Sequence, residues 1–180
     1  LNTDIARSAN REDNCTGRFF EGRFKCQALL DQAALLQCMA YVDLNPVRAG
    51  IARTAETATH TALAHRIKTK RHGLIPFAAQ SAPPGALSKP GSNLKAASIP
   101  ITFDGYRALV RWTVEILCSK PVATLPSGLA WMRIDAIEWQ KSMRPGALER
   151  ARALGAPSRL RAFAAAVGQA WVWGHATTVA

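Results

Sequence analysis

A tyrosine and an asparagine four residues apart, in the stretch QCMAYVDLNPVRAGI, are the residues whose types and spacing suggest chemistry. On a helix, at about 100° per residue, Tyr41 and Asn45 lie side by side and Gln37 continues the same polar stripe. A phenol can act as a nucleophile, and a carboxamide oxygen beside it suits a hard divalent cation. The spacing therefore predicts a reactive polar stripe, unless Tyr41 simply lies at a helix edge and Asn45 caps the helix end.

The helix that must position these groups is delimited by local signals. Asp31 is a favoured N-cap, and the residues after it are good helix formers, so we predict a helix over about 32–44. The Asn45-Pro46 pair should bend or restart this helix, because proline disfavours helical geometry in the residue before it. Three apolar residues lie opposite the polar stripe and are predicted to be core: Leu35, Met39 and Val42.

Further elements follow from apolar periodicity and from glycine and proline positions. We predict one extended strand, Arg18–Leu29, where Phe20 and Phe24 alternate with Gly22. Helices are predicted at about 5–13, 56–70, 102–119, 135–142 and 158–173, with Tyr106 on the apolar face of the third. Most of the five tryptophans are predicted to be core, with a base-stacking role for one exposed member as the alternative.

The segment 78–97 is rich in proline, glycine, serine and alanine, which is typical of an exposed linker. We therefore divide the chain into residues 1–76, a linker at 77–99, and a helical extension at 100–180. The fold class predicted for this chain is mainly α-helical, with one or two N-terminal strands.

The overall charge indicates the class of partner. A net charge of +11 among 180 residues, with a pI near 10.3, favours a polyanion, and nucleic acid over an anionic membrane. No apolar run reaches the ~20 residues needed to span a bilayer, so we expect no membrane partner. The four cysteines form no C-x-x-C pair, so we expect buried or free thiols in a reducing cytoplasm. The first fifteen residues are polar and charged, which does not fit a signal peptide.

Two segments, GRFFEGRFKCQALLD and AALLQCMAYVDLNPVRAGIA, resemble the REP-associated tyrosine transposases, a group of the single-tyrosine HUH transposases. In that group an aromatic-rich G-R-F-W-x-G-R-F strand precedes a helix with the pattern Y-[IV]-x-x-N-P-[IV]-[RK]. The similarity covers about Ala9 to Ala58. More loosely, DGYRALVRWT and GAPSRLRAFAAAVGQAWVWG resemble the C-terminal extension of longer members. The resemblance implies an α+β fold for the intact protein.

The resemblance also implies a reaction. Tyr41 matches the nucleophile, which attacks single-stranded or hairpin DNA and leaves a 5′-phosphotyrosine and a free 3′-OH. Asn45 matches the position that adds a third ligand to Mg²⁺ or Mn²⁺. The main ligands would come from a His-hydrophobe-His motif upstream of the aromatic strand, and no His-x-His occurs in this sequence. We therefore expect a fragment or a decayed gene, inactive alone and binding no metal tightly.

Basic residues supply the predicted contacts to DNA. Eight form this group: Arg18, Arg23, Lys25, Arg48, Arg66, Lys68, Lys70 and Arg71. Two other functions stay open at this point: a non-catalytic basic helical module that binds DNA or RNA hairpins, and a helical protein-interaction unit. We also expect homodimers or looser self-association, because the tyrosine helix of the family packs on a sheet that this chain would not complete.

Overall fold

The computed structural model describes residues 2–20, 25–69, 73–78, 98–118, 124–148 and 150–176. The chain is mainly helical with a small parallel sheet, which confirms the predicted fold class. The helices are α1 Asn2–Glu12, α2 Gln32–Asp43, α3 Asn45–Arg48, α4 Ala62–Lys68, α5 Phe103–Cys118, α6 Ala136–Ser142 and α7 Pro157–Ala166, and a 3-10 helix spans Ser127–Met132. The strands are β1 Ala28–Leu29, β2 Ala153–Gly155 and β3 Gly174–Ala176. Within these described parts, no helix is both long and apolar enough to cross a membrane.

The sheet joins the N-terminal part of the chain to its C-terminal part. Its order is β1-β2-β3 and both pairings are parallel, with Ala28 opposite Ala153 and Ala153 opposite Gly174. β1 precedes α2, the tyrosine helix, which carries Tyr41. β2 and β3 belong to the C-terminal part. The predicted N-terminal unit and the predicted extension therefore share one sheet.

The start of α2 is tied to the end of β2. Asp31 caps α2 by accepting a hydrogen bond from the Ala34 N–H at 2.8 Å, and its second carboxylate oxygen accepts from the Ala156 N–H at 2.6 Å. Gly155 lies at the same junction with φ of +156°, and a Cβ there would stand 2.9 Å from the Leu30 Cβ. Only glycine fits this backbone and this close approach. One carboxylate thus holds both the helix start and the strand end.

The main core forms around α5, which packs against α2 and α6. Trp112 and Trp139 are buried with ring centroids 6.3 Å apart, and the Trp139 indole donates to Thr113 Oγ1 at 3.0 Å. A smaller buried cluster lies beside the sheet and consists of Ala34, Leu148, Ala151 and Leu154. Tyr41 packs against both clusters, so the tyrosine lies where the two meet.

The predicted strand Arg18–Leu29 is wrong in extent. Hydrogen bonding to β2 begins at Ala28, whose N–H donates to the Arg152 carbonyl, and it ends with the Leu30 N–H. Before the undescribed residues 21–24 the chain runs through turns, with Gly17 at φ of +111° and the Phe19 and Phe20 rings in edge-to-face contact. Of the described residues in the predicted strand, only Ala28 and Leu29 belong to a strand.

The predicted helix over 158–173 is too long. α7 ends at Ala166, and Gly168 at φ of +70° follows, in the left-handed conformation that terminates helices. The chain then turns into β3. The tryptophan prediction holds only in part, since Trp112 and Trp139 are buried whereas Trp171 and Trp173 are exposed.

The helix predicted over 56–70 is shorter, because turns occupy the residues before Thr61, whose hydroxyl caps α4. The linker predicted over 77–99 falls mainly on 79–97, outside the described residues. Phe77 and Ile99, the two ends of the predicted linker, form an isolated parallel bridge. Phe77 also packs against Phe103 and Tyr106.

The rotation of α2 differs from the predicted one. Gln37 is 1% exposed and donates through Nε2 to Ser142 Oγ at 2.6 Å, whereas Val42 is 54% exposed. Residues 33, 36, 40 and 44 form most of the buried face. The helix is apolar almost all round, so its periodicity does not define which side is covered. Alanines on the buried side allow close approach of its neighbours.

Candidate functional site

The break between α2 and α3 brings three side chains of the predicted site together. α2 ends at Asp43, and Pro46 lies in the first turn of α3, where its missing N–H is tolerated. The chain then continues helically to Arg48. Tyr41, Asn45 and Arg48 therefore lie on neighbouring turns at one end of the tyrosine helix.

Arg48 connects the parts of this site. Its guanidinium carbon lies 3.8 Å from the centroid of the Tyr41 ring. One terminal nitrogen donates to the Met143 carbonyl at 2.8 Å, and the other donates to the Tyr41 carbonyl at 2.8 Å and to Asn45 Oδ1. Burial lowers the pKa of the Arg48 guanidinium, and the nearby Tyr41 phenol opposes that effect. Arg48 holds the helix break to the C-terminal part of the chain.

The Tyr41 hydroxyl meets a turn from the C-terminal part. The side chain is half-buried, and its oxygen accepts a hydrogen bond from the Gly146 N–H at 3.3 Å. Gly146 has φ of +75°, which suits a turn that follows Pro145. The Pro-Gly pair marks a turn in the sequence, but 105 residues separate it from Tyr41, so no local pattern connects the two.

A metal ion does not fit the residues in this arrangement. Asn45 is exposed, but its Oδ1 accepts from Arg48, so a cation at that oxygen would lie beside the positive charge of the guanidinium. No group of three His, Cys, Asp or Glu side chains within the described ranges could hold a metal ion. The chemistry available from these residues is that of the phenol, a backbone N–H donor and a guanidinium.

The second tyrosine of the chain has a different environment. Tyr106 is fully buried and donates to Asp43 Oδ2 at 2.6 Å, while the Leu63 N–H donates to Asp43 Oδ1 at 3.2 Å. Burial, followed by the Asp43 carboxylate, raises the pKa of Tyr106 well above its ordinary value. The hydrogen bond from Tyr106 therefore joins α5 to α2. Because Tyr106 is buried, Tyr41 is the accessible one of the two tyrosines.

The predicted DNA-contacting residues occupy different environments. Arg18, Lys25 and Lys68 are exposed. Arg66 is half-buried; it donates to the Ile75 carbonyl at 2.7 Å and lies over the Phe77 ring, and burial lowers its pKa. Three members of the group lie outside the described residues: Arg23, Lys70 and Arg71.

The comparisons with known proteins add no relative. Searches against protein-family models, curated proteins and solved structures gave no match. The arguments for a function therefore rest on the sequence motifs and on the geometry around Tyr41.

Proposed function

We propose that this chain carries the nucleophilic tyrosine of a DNA transposase that cleaves and rejoins single-stranded hairpin DNA. The observation that carries the proposal is the setting of Tyr41 at the α2–α3 break. Its side chain is half-buried, its oxygen accepts from the Gly146 N–H, and the Arg48 guanidinium lies on its ring. The motif resemblance supplies the reaction, and this setting makes Tyr41 the better of the two tyrosines for it.

In the proposed reaction the Tyr41 oxygen attacks a backbone phosphorus. A bond forms between the phenol oxygen and phosphorus, the bond to the 3′ oxygen breaks, the phenol proton leaves, and the 3′ oxygen takes up a proton. Because Gly146 donates to the phenol oxygen, the hydroxyl proton can point to solvent, which takes it up, and the N–H can stabilise negative charge on that oxygen. The phosphotyrosine keeps the energy of the broken bond, so a second 3′-OH can reverse the step.

A divalent ion belongs to the proposal through the resemblance alone. Mg²⁺ or Mn²⁺ would polarise the phosphate, and ligands beyond the described residues would have to hold it. Asn45 would contribute its oxygen next to the Arg48 guanidinium, whose positive charge opposes a cation there. We derive no step through the ion.

The proposed DNA partner fits the charge of the chain. The net charge of +11 would attract a polyanion such as DNA. The contacts to phosphates would come from the exposed side chains of Arg18, Lys25 and Lys68. We also propose that the protein acts in the cytoplasm, where DNA is accessible and its four free cysteines stay reduced. Self-association is proposed at β1, an outer strand of the sheet, and near the exposed Val42.

A covalent-adduct assay on the full product of the gene tests the proposed reaction. The protein is incubated with Mn²⁺ and an end-labelled single-stranded hairpin, and a denaturing gel separates protein-linked label. We expect an adduct that Tyr41→Phe abolishes and that Tyr106→Phe retains, with mass spectrometry locating the phosphorylated peptide. An adduct that persists in Tyr41→Phe contradicts the assignment.

One observation favours a second candidate, a non-catalytic module that binds nucleic-acid hairpins. Asn45 Oδ1 is already occupied by Arg48, which suggests a structural role for the Asn-Pro-Val-Arg segment. The same assay separates the two functions. Hairpin binding without an adduct, in the presence of Mn²⁺, supports the second candidate and contradicts the first.

A further inference from the structure

Two tryptophans are exposed beside the C-terminal edge of the sheet. Trp171 is 69% exposed and Trp173 is 59% exposed, whereas Val172 between them is half-buried. This alternation places both indoles on the same side of the chain. Large aromatic side chains left in water in adjacent positions indicate a binding surface.

The backbone that presents these indoles is held firmly. The Arg152 N–H donates to the Trp173 carbonyl at 2.7 Å, and Gly174 pairs with Ala153 in the sheet. A Cβ at Gly174 would stand 2.5 Å from Leu160 Cδ2, so this edge also packs closely on α7. The position of Trp173 is therefore set by β2 and α7.

The segment that carries the two tryptophans is basic. Arg152 stands next to Trp173 in the strand register, is exposed, and donates to Gln169 Oε1 at 3.4 Å. From position 150 to 176 the sequence contains no aspartate or glutamate and four exposed arginines: Arg150, Arg152, Arg159 and Arg161. Exposed aromatic faces within a positive field match a partner that offers flat bases and phosphates.

We propose that Trp171, Trp173 and Arg152 form a surface that binds single-stranded nucleic acid by base stacking. Bases stack on the indoles and a neighbouring phosphate pairs with the guanidinium, without sequence preference, because every base has a stacking face. None of these three residues contributes to the Tyr41 site described above, and the proposed binding does not require strand cleavage. Binding to an anionic membrane is the alternative that the vesicle measurement below distinguishes.

Binding to an unstructured strand tests this surface. The whole chain is titrated into a fluorescein-labelled oligothymidine of about 12 nucleotides, and anisotropy gives the Kd. We expect the double variant Trp171→Ala/Trp173→Ala to weaken binding at least about fivefold, and Trp171→Phe/Trp173→Phe to keep most of it, because phenylalanine still stacks. Ile137→Ala, an equally exposed apolar truncation on α6, should leave the Kd unchanged.

The charge contribution is measured separately. Arg152→Gln should reduce the slope of log affinity against log salt by about 0.7, while Arg53→Gln, at an exposed position before α4, should not change it. The cleavage proposal is tested by the covalent adduct and this proposal by the Kd of the double alanine variant, so failure of one leaves the other result intact. An unchanged Kd for the double alanine variant, with circular dichroism showing a native fold, overturns the proposal. So does binding to phosphatidylserine vesicles without binding to the oligothymidine.

Discussion

The hydroxyl groups of the two tyrosines differ in what they contact. Tyr106 donates to the buried carboxylate of Asp43 at 2.6 Å, whereas Tyr41 accepts from a backbone N–H at 3.3 Å while half-buried. A short hydrogen bond to a buried charge contributes more to stability than a long neutral one. The two residues should therefore respond differently to loss of the hydroxyl.

We expect Tyr106→Phe to lower the free energy of unfolding by about 1.5–3 kcal/mol, because it removes a donor from the buried Asp43 carboxylate. Tyr41→Phe should lower it by less than about 1 kcal/mol. Urea unfolding of the three proteins at neutral pH measures both values. Equal losses would show that the Asp43 contact has no special weight.

The raised pKa of Tyr106 gives a pH dependence. The folded protein keeps the phenol proton, whereas the unfolded chain releases it above a pH of about 10, so unfolding becomes easier as the pH rises beyond that point. We expect the free energy of unfolding to fall by about 1.4 kcal/mol per pH unit there, from this group. Cys38, whose pKa burial also raises, contributes in the same direction.

Subtracting the Tyr106→Phe profile from that of the unmodified protein isolates the tyrosine contribution. The difference should be flat below a pH of about 9 and should slope downward above about 10. A difference that stays flat to a pH of about 11 contradicts the assigned environment.

The sequence reveals only part of this residue-level arrangement. It places Tyr41, Asn45 and Arg48 together because they are close along one helix and its continuation. It does not indicate that Gly146 contacts Tyr41 or that Ser142 contacts Gln37, because 105 residues separate the members of each pair. Contacts of this kind depend on the packing of α2 against the C-terminal part.

At the scale of elements, the starts of α2, α5, α6 and α7 lie within about one residue of the predicted ones, whereas α4 begins at Ala62 rather than near 56. Asp31 and Asp135 both cap helices as their side-chain chemistry indicates, and such caps act over three residues. The predicted bounds of the strand at 18–29 and the predicted helix end near 173 are wrong. Pairing with β2 decides which residues of each segment are extended. Sequence periodicity carries no information about a partner so far along the chain.

The two caps differ in burial, which gives an element-scale prediction. Asp31→Ala removes the cap of α2 and also leaves the Ala156 N–H without its hydrogen-bond acceptor. We therefore expect a loss of about 2–4 kcal/mol in the free energy of unfolding. Asp135→Ala removes only the exposed cap of α6 and should lose about 1 kcal/mol. Chemical denaturation compares them, and an equal loss would mean that the Ala156 contact contributes nothing.

At the scale of the whole molecule, the positive charge should dominate binding to nucleic acid. Affinity for single-stranded DNA should fall between about 50 and 200 mM salt, with a slope of about −0.7 per neutralised phosphate. Arg159→Gln/Arg161→Gln should make the slope shallower by up to about 1.4. The control is Arg111→Gln, since Arg111 already pairs with Glu56 at 2.9 Å and should change the slope little. An affinity independent of salt would refute electrostatic binding.

The pairing of β1 with β2 has a consequence for biosynthesis. Asp31 and Ala156, which fix the start of the tyrosine helix to the sheet, are 125 residues apart. At about 5–20 residues per second, the ribosome makes the second partner about 6–25 seconds after the first. For the first part of that interval the apolar helix α2 has neither α5 nor β2 to cover it, and β2 is made after α5. Nascent chains should therefore depend on chaperones until the C-terminal half emerges, and a ribosome stalled near Cys118 would hold the tyrosine helix undocked.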